Sequence, residues 1–257
     1  MVSTLNKTYP YFRVAKSRFM KPVSRYIASI LIMFLIISCD KSVVLEDNDW
    51  TISGLKGQVK SINQRTYRAQ KQQGEWTKGP ANQTYSITNF DQSGFNIDYK
   101  QYFINDNSFY GGSTYVYDAE KNLTKINRIG GDESIIGYTE IMERIGKVRP
   151  SKFDSYFVSP EETTKTGSSR MVWLDYLVTE TNFYDKDGKL TSKSTSTYNE
   201  DRSLDEFTTE RFSEKSTMLV KYTYLTEDNL GNWTSALKEI IGYNRQEIVD
   251  RSIVYYQ

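Results

Sequence analysis

Tyr184-Asp185-Lys186-Asp187-Gly188-Lys189-Leu190 lies between two β-forming stretches and reads as a hairpin turn. The aspartate at its head bonds back to the turn backbone, and Gly188 takes the left-handed conformation that closes it. The frame recurs in Phe90-Asp91-Gln92-Ser93-Gly94, in Tyr117-Asp118-Ala119-Glu120-Lys121-Asn122-Leu123 and in Tyr198-Asn199-Glu200-Asp201-Arg202-Ser203-Leu204. Asp228-Asn229-Leu230-Gly231-Asn232-Trp233 is a fifth, degenerate copy. The shared order is an aromatic, Asp or Asn, two variable residues, glycine or a substitute, one residue, then an apolar side chain. The glycine-equivalent positions are 94, 121, 188, 202 and 231, at intervals of 27, 67, 14 and 29 residues. The shortest interval fits one strand plus one turn, and those near 28 fit two. The long one requires an insertion.

Between the turns the chain alternates, as in Thr84-Tyr85-Ser86-Ile87-Thr88, Ser113-Thr114-Tyr115-Val116-Tyr117 and Leu219-Val220-Lys221-Tyr222-Thr223-Tyr224. Alternation rich in Tyr, Thr, Ile and Val predicts strands with one buried and one solvated face, paired antiparallel. The fold class is mostly β: a meander of successive hairpins forming an open curved sheet or a solenoid-like stack, a closed barrel being the third arrangement of the same hairpins. Within Ile135 to Val148, Tyr138, Ile141, Met142, Ile145 and Val148 are spaced like one face of a helix that ends at Pro150. One short helical insertion is therefore predicted near 135–149. Ser159 to Arg170, with Pro160 and Gly167, reads as an exposed loop.

The N-terminus carries a separate signal. Residues 1–38 hold six Lys or Arg and no acid, then the apolar run Ile27 to Ile37, then Ser38-Cys39-Asp40. A basic region, a short apolar core and a small residue before the cut make a secretory signal. Eleven apolar residues at about 1.5 Å each reach roughly 16 Å, too short for a hydrocarbon core of about 30 Å. Ile36-Ile37-Ser38-Cys39 resembles the lipobox of bacterial lipoproteins, which implies cleavage between Ser38 and Cys39 and acylation of Cys39. Acylation also accounts for the single cysteine of an exported chain. Met20-Lys21-Pro22 opens a compact signal of its own, so Met20 is the expected start. The expected organisation is signal peptide 1–38, acylated Cys39 and a polar tether over 39–50, and a β-rich domain over 51–257.

Composition narrows the chemistry. Of 33 basic residues six fall in the signal, leaving 27 against 32 acidic ones, a charge near −5. A mildly acidic chain without basic runs is a poor nucleic-acid binder. The chain has no histidine, which removes His-based general bases, Ser-His-Asp arrangements and His-ligated zinc. No P-loop or GxGxxG occurs, so no nucleotide cofactor is expected, and Asp185 to Gly188 lacks the rest of a calcium loop.

The turns resemble the YD-type (RHS-like) repeat, a hairpin built around a Tyr-Asp…Gly turn. The chain as a whole is similar to a group of Bacteroidetes lipoproteins of unknown function with degenerate YD-like hairpins. Leu55-Lys56-Gly57-Gln58-Val59-Lys60-Ser61-Ile62 matches the usual opening of their mature domain; Asp228 to Thr234 and Ile253 to Tyr256 match its close. The middle, Gly130 to Thr179, departs from the group. The resemblance implies an antiparallel β meander and transfers no catalytic residue.

Two functions of different kind follow. The first is a membrane-anchored lipoprotein of a Gram-negative cell envelope, at the outer membrane, binding or scaffolding an envelope protein or glycan. Its 20 Tyr and 4 Trp supply the surface, with Trp76 the first candidate for an exposed ring beside Trp173 and Trp233. The alternative is a glycan-processing hydrolase, which needs two carboxylates about 5–9.5 Å apart across a cleft. Its candidates are Asp132-Glu133, Asp175, Glu180 and Asp205-Glu206. Acids on solvated strands and turns explain these more simply, so the reading favours a non-enzyme.

Overall fold

The computed structural model describes residues Leu45–Gln257; the signal, Cys39 and the Ser38–Cys39 junction lie outside the described residues. A short helical turn, α1 (Asp49–Ile52), precedes fourteen strands. These are β1 (Val59–Gln72), β2 (Glu75–Phe90), β3 (Asn96–Phe103), β4 (Phe109–Tyr117), β5 (Leu123–Ile129), β6 (Ile135–Ile145) and β7 (Arg149–Val158). They continue as β8 (Thr163–Leu174), β9 (Leu177–Asp185), β10 (Leu190–Tyr198), β11 (Leu204–Arg211), β12 (Ser216–Glu227), β13 (Trp233–Ile241) and β14 (Arg245–Tyr255). Each strand pairs antiparallel with the next, and β1 pairs with β14, from Ile62 opposite Ile253 to Arg68 opposite Glu247.

The sheet is thus a closed barrel, which corrects the expected open curved sheet or solenoid-like stack. Closure satisfies the backbone groups that the first and last strands would otherwise leave bare as edges. The helix expected near 135–149 is corrected too: β6 occupies most of it, between β5 and β7. Its register shifts between Ile141 and Glu143 and between Glu143 and Arg144, and Tyr138 and Ile141, paired with Tyr156 and Phe153 ahead of those shifts, lie on opposite faces of the sheet. Ile135, Ile136, Met142 and Ile145 are exposed, leaving no buried helical face. Pro150 lies opposite Arg144 at that irregularity, near the start of β7 where the ladder tolerates it. The loop expected over 159–170 shrinks to the turn Ser159–Glu162, and Gly167 is buried in β8.

All five turns form as read. The amide at the glycine-equivalent position donates to the carbonyl at the head of the turn: Gly94 to Asp91 at 3.0 Å, Gly188 to Asp185 at 3.1 Å and Gly231 to Asp228 at 3.0 Å. Lys121 and Arg202 take the left-handed position with φ of 65° and 72°. The head aspartates add side-chain bonds; Asp91 Oδ1 accepts from Ser93 N and Phe95 N, and Asp228 Oδ1 from Leu230 N and Asn232 N. The intervals now have a geometric meaning. Two strands separate Asp91 from Asp118 and Asn199 from Asp228, returning each pair to one end of the barrel, whereas the single strand β10 puts Asp185 at the other. The 67-residue interval is filled by the five strands β5 to β9.

Register divides the side chains into two faces. On β12, Val220, Tyr222 and Tyr224 alternate with Lys221 and Thr223; on β14, Val249, Arg251 and Ile253 alternate with Asp250 and Ser252. The first set shares its face with Ile62 of β1, which packs with Val59, Phe90 and Trp50 in the buried core at one end. That face lines the interior. The opposite face carries cross-strand ion pairs: Lys165–Asp154 at 2.7 Å, Lys193–Glu180 at 2.8 Å and Lys221–Glu206, with Lys100–Asp98 at 3.1 Å within β3. It also carries stacked tyrosine pairs, Tyr85–Tyr102 with centroids 5.4 Å apart and Tyr138–Tyr156 at 4.7 Å. These four tyrosines are cross-strand ladder on the outer wall.

Candidate functional site

Residues 45–58 cross the end of the barrel at which β1 begins and β14 ends. Tyr176 OH donates to Leu45 O at 3.0 Å, and Asp47 pairs with Arg149 and accepts from Lys147 N. Asn48 caps α1, accepting from Thr51 N at 3.1 Å, and its amide reaches Ser93 O at 2.9 Å. Lys56 N donates to Asn232 Oδ1 at 2.8 Å. The segment thus touches the turns after β2, β6, β8 and β12, and closes this mouth. The tether expected over 39–50 is described only from Leu45, and Asn48, Asp49 and Trp50 within it are buried.

Beneath the second half of this cap lies a cavity of about 210 Å³. Leu55 roofs it; Tyr198, Tyr222, Tyr224, Trp233 and Arg251 form its walls. Trp233 follows the degenerate turn, and the register shifts on either side of Thr226 bring its ring to 5.4 Å from Tyr224. Arg251 Cζ lies 3.4 Å from the Trp233 ring centre, and its Nε donates to Gln64 Oε1 at 3.1 Å. Among the described residues no carboxylate pairs with it. Burial pushes the guanidinium down to about 10, still protonated at neutral pH, and pushes the Tyr224 phenol up to about 12. A charged, donor-only group therefore meets neutral phenols and an indole in a sheltered space.

Arg251 was not singled out from the sequence, yet a signal exists. In Val249-Asp250-Arg251-Ser252-Ile253 it falls in phase with the two apolar residues, placing a cation on the inward face. Of the tryptophans, Trp76 is half-buried on β2 near Lys71, Trp173 donates to Pro150 O, and Trp233 enters the chamber. The carboxylates proposed for a hydrolase are not brought together. Asp132 and Glu133 sit in the turn after β5, Asp175 in the turn after β8, Asp205 near the start of β11, and Glu180 and Glu206 are held in outer-wall ion pairs. No cluster of three or more acids able to hold a metal forms among the described residues.

Asp49 is the buried acid of the cap. Its Oδ2 accepts from Asn96 N at 2.9 Å and from Tyr117 OH at 2.8 Å, but burial outweighs both bonds and pushes its carboxyl above the usual range. A folded pKa above the unfolded value means that the native state binds the proton more tightly. The associated stability is present below about pH 3.9 and lost as pH rises through the raised value. Asp49→Asn retains both acceptor contacts without the charge, so it should unfold at higher urea than the parent at pH 7, the gap closing towards pH 4. Asp118 and Asp201 behave oppositely, held low by bonds from Asn122 and Ser203, so their contribution disappears as pH falls.

No protein-family model matches the chain, and no curated protein sequence matches it. Among solved structures it is similar to a porin-like protein from Bacteroides uniformis, at 12% identity over 76% of this chain and 98% of that one, with a TM-score of 0.44. A porin-like protein from Bacteroides vulgatus shares 9% identity over 77% and 98%, with a TM-score of 0.35. A LolA superfamily protein from Nitrosomonas europaea shares 10% over 80% and 92%, with a TM-score of 0.19. At these identities and scores none of their properties transfers to this chain.

Proposed function

We propose that the chain is a lipid-anchored binding or scaffolding lipoprotein of the Gram-negative cell envelope, cleaved between Ser38 and Cys39, acylated on Cys39, with its barrel standing in water. The observation that carries the water-exposed part is the outer wall. Lys100, Lys165, Lys193 and Lys221 lie on four different strands of that face. A Lys or Arg turned to lipid costs up to about 2–4 kcal/mol at the midplane, so charged pairs spread over four strands oppose insertion. The anchor rests on the lipobox-like segment after a run too short to span. From Cys39 to Leu45 the chain reaches at most about 20 Å, which keeps the capped end near the membrane surface. The sheltered chamber and the scattered carboxylates favour a binder over the hydrolase.

The test is fractionation of cells making the parent chain or Cys39→Ala. The parent should incorporate labelled acyl chains and stay with membranes through an alkaline wash; Cys39→Ala should lose the label and appear in the soluble fraction. A Cys39→Ala protein that resists the wash, or one that conducts ions across planar bilayers, would overturn the reading.

A further inference from the structure

The chamber under the cap holds a cation whose bonding is unfinished. The Arg251 guanidinium lies 3.4 Å from the Trp233 ring centre and gives its Nε to Gln64, which leaves the edge bearing the two Nη groups without a carboxylate. Arg251 lies deep in the barrel and keeps its remaining surface on the cavity. An arginine edge offers two parallel donors, the geometry that a carboxylate accepts in bidentate fashion. Tyr222 lines the same cavity, and burial keeps its phenol protonated as a further donor. Tyr224 differs, because its hydroxyl is spent on Leu204 O at 2.7 Å. A second arginine, Arg202, also lines the chamber, and its Nη2 is buried with no hydrogen-bond partner. Two carboxylates line the cavity as well, Asp201 and Glu227. Asp201 Oδ1 is committed to Ser203 N and Oγ, and among the described residues neither acid pairs with Arg251, whose Nε goes to Gln64.

We propose that this chamber binds a small organic acid, its carboxylate taken edge-on by Arg251 and its flat apolar body lying among Trp233, Tyr222 and Leu55. A volume of about 210 Å³ is below the roughly 300–1,000 Å³ of drug-sized sites, which limits the body to about one ring. The proposal deepens the binding-module reading and rests on it. Its assay is indifferent to Cys39, however, so anchor and ligand fail separately.

The probe is benzoate, with neutral benzamide as its isostere, titrated calorimetrically into the full chain carrying Cys39→Ala. Benzoate should bind saturably and benzamide at least about tenfold more weakly. Arg251→Gln should weaken benzoate about tenfold to a hundredfold, and Tyr222→Phe less, with the charge intact. A purely structural arginine makes a different forecast: its loss from Trp233 lowers the melting temperature. A site arginine buried without a counter-charge leaves the empty barrel as stable or more stable when removed. Absence of saturable benzoate binding, or equal affinity for benzamide, overturns the proposal, as does Arg251→Gln binding benzoate like the parent. Should Arg251→Gln not fold, Tyr222→Phe and the benzamide comparison decide.

Discussion

Trp50→Ala is expected to destabilise the barrel by about 3–5 kcal/mol, the range for removing a buried aromatic. Against a typical domain stability of about 5–15 kcal/mol that is a substantial fraction. The ring is 9% exposed and packs with Val59, Ile62 and Phe90. Its Nε1 donates to Val59 O at 2.9 Å, tying the cap to the start of β1. Gly94 yields the space: a Cβ there would lie 2.6 Å from the indole, and its φ of +84° disfavours any side chain. Leu55, partly buried, is the other cap residue packed against this cluster, whereas Asp49 turns to Tyr117 and Asn48 to Ser93. Trp50→Phe keeps a ring and drops the hydrogen bond, so it should cost far less, about 1–2 kcal/mol. Trp76→Ala, at a half-buried position on β2, is the control and should change stability by under about 1 kcal/mol. Urea midpoints at constant m-value measure all three. A Trp50→Ala midpoint matching that of Trp76→Ala would mean that the cap lies on the barrel without supporting it.

How far the sequence discloses this architecture depends on the range of each interaction. Hairpin turns are local, and the aspartate and left-handed residue that build them stand within a few positions, so all five were legible. The intervals also held the parity that sends Asp185 to one end and Asp91, Asp118, Asn199 and Asp228 to the other. Closure was not legible, because the pairing of Ile62 with Ile253 joins residues nearly two hundred positions apart. Strand composition is the same whether an edge is bare or paired. The false helix near 135–149 arose because the spacing of Tyr138, Ile141, Met142, Ile145 and Val148 fits one helical face, while pairing with β5 and β7, which that spacing does not reveal, makes the segment a strand. In the site the signal was present and needed a reference face: Arg251 stands out only once Val249 and Ile253 are known to point inward. The cap was hidden for another reason. Asn48-Asp49-Trp50 is polar enough to read as tether, and its burial comes from the distant turn after β2, from Tyr117 and from Val59.

Asn232 holds the other half of the cap, and its loss should be nearly as costly as that of Trp50. It is 4% exposed and treats Lys56 as a strand partner would, accepting from Lys56 N and donating to Lys56 O, both at 2.8 Å. Its amide also donates to Tyr255 OH at 2.8 Å, and that hydroxyl bonds to Asp228 at the head of the turn. Asn232→Ala removes three part-buried hydrogen bonds, two to Lys56 and one to Tyr255, each worth about 0.5–1.5 kcal/mol, so a loss of about 2–4 kcal/mol is expected. Asn232→Asp separates the two bonds. A carboxylate still accepts from Lys56 N but confronts Lys56 O with like charge, whereas the protonated acid donates to it. The folded pKa of the new acid is thereby raised, so this variant should be least stable at neutral pH and recover as pH falls through that value. That trend is opposite in sign to the one set by Asp228, which burial pushes up but the bonds from Tyr255 and Asn232 hold below the usual range. The double variant with Trp50→Ala tests whether the cap acts as one unit. If residues 45–58 leave the mouth together, Asn232→Ala costs less once Trp50 is gone, a coupling above about 0.5 kcal/mol. Strictly additive costs would mean that the two ends of the cap are held independently, and that the Arg251 chamber is roofed by the Lys56 half alone.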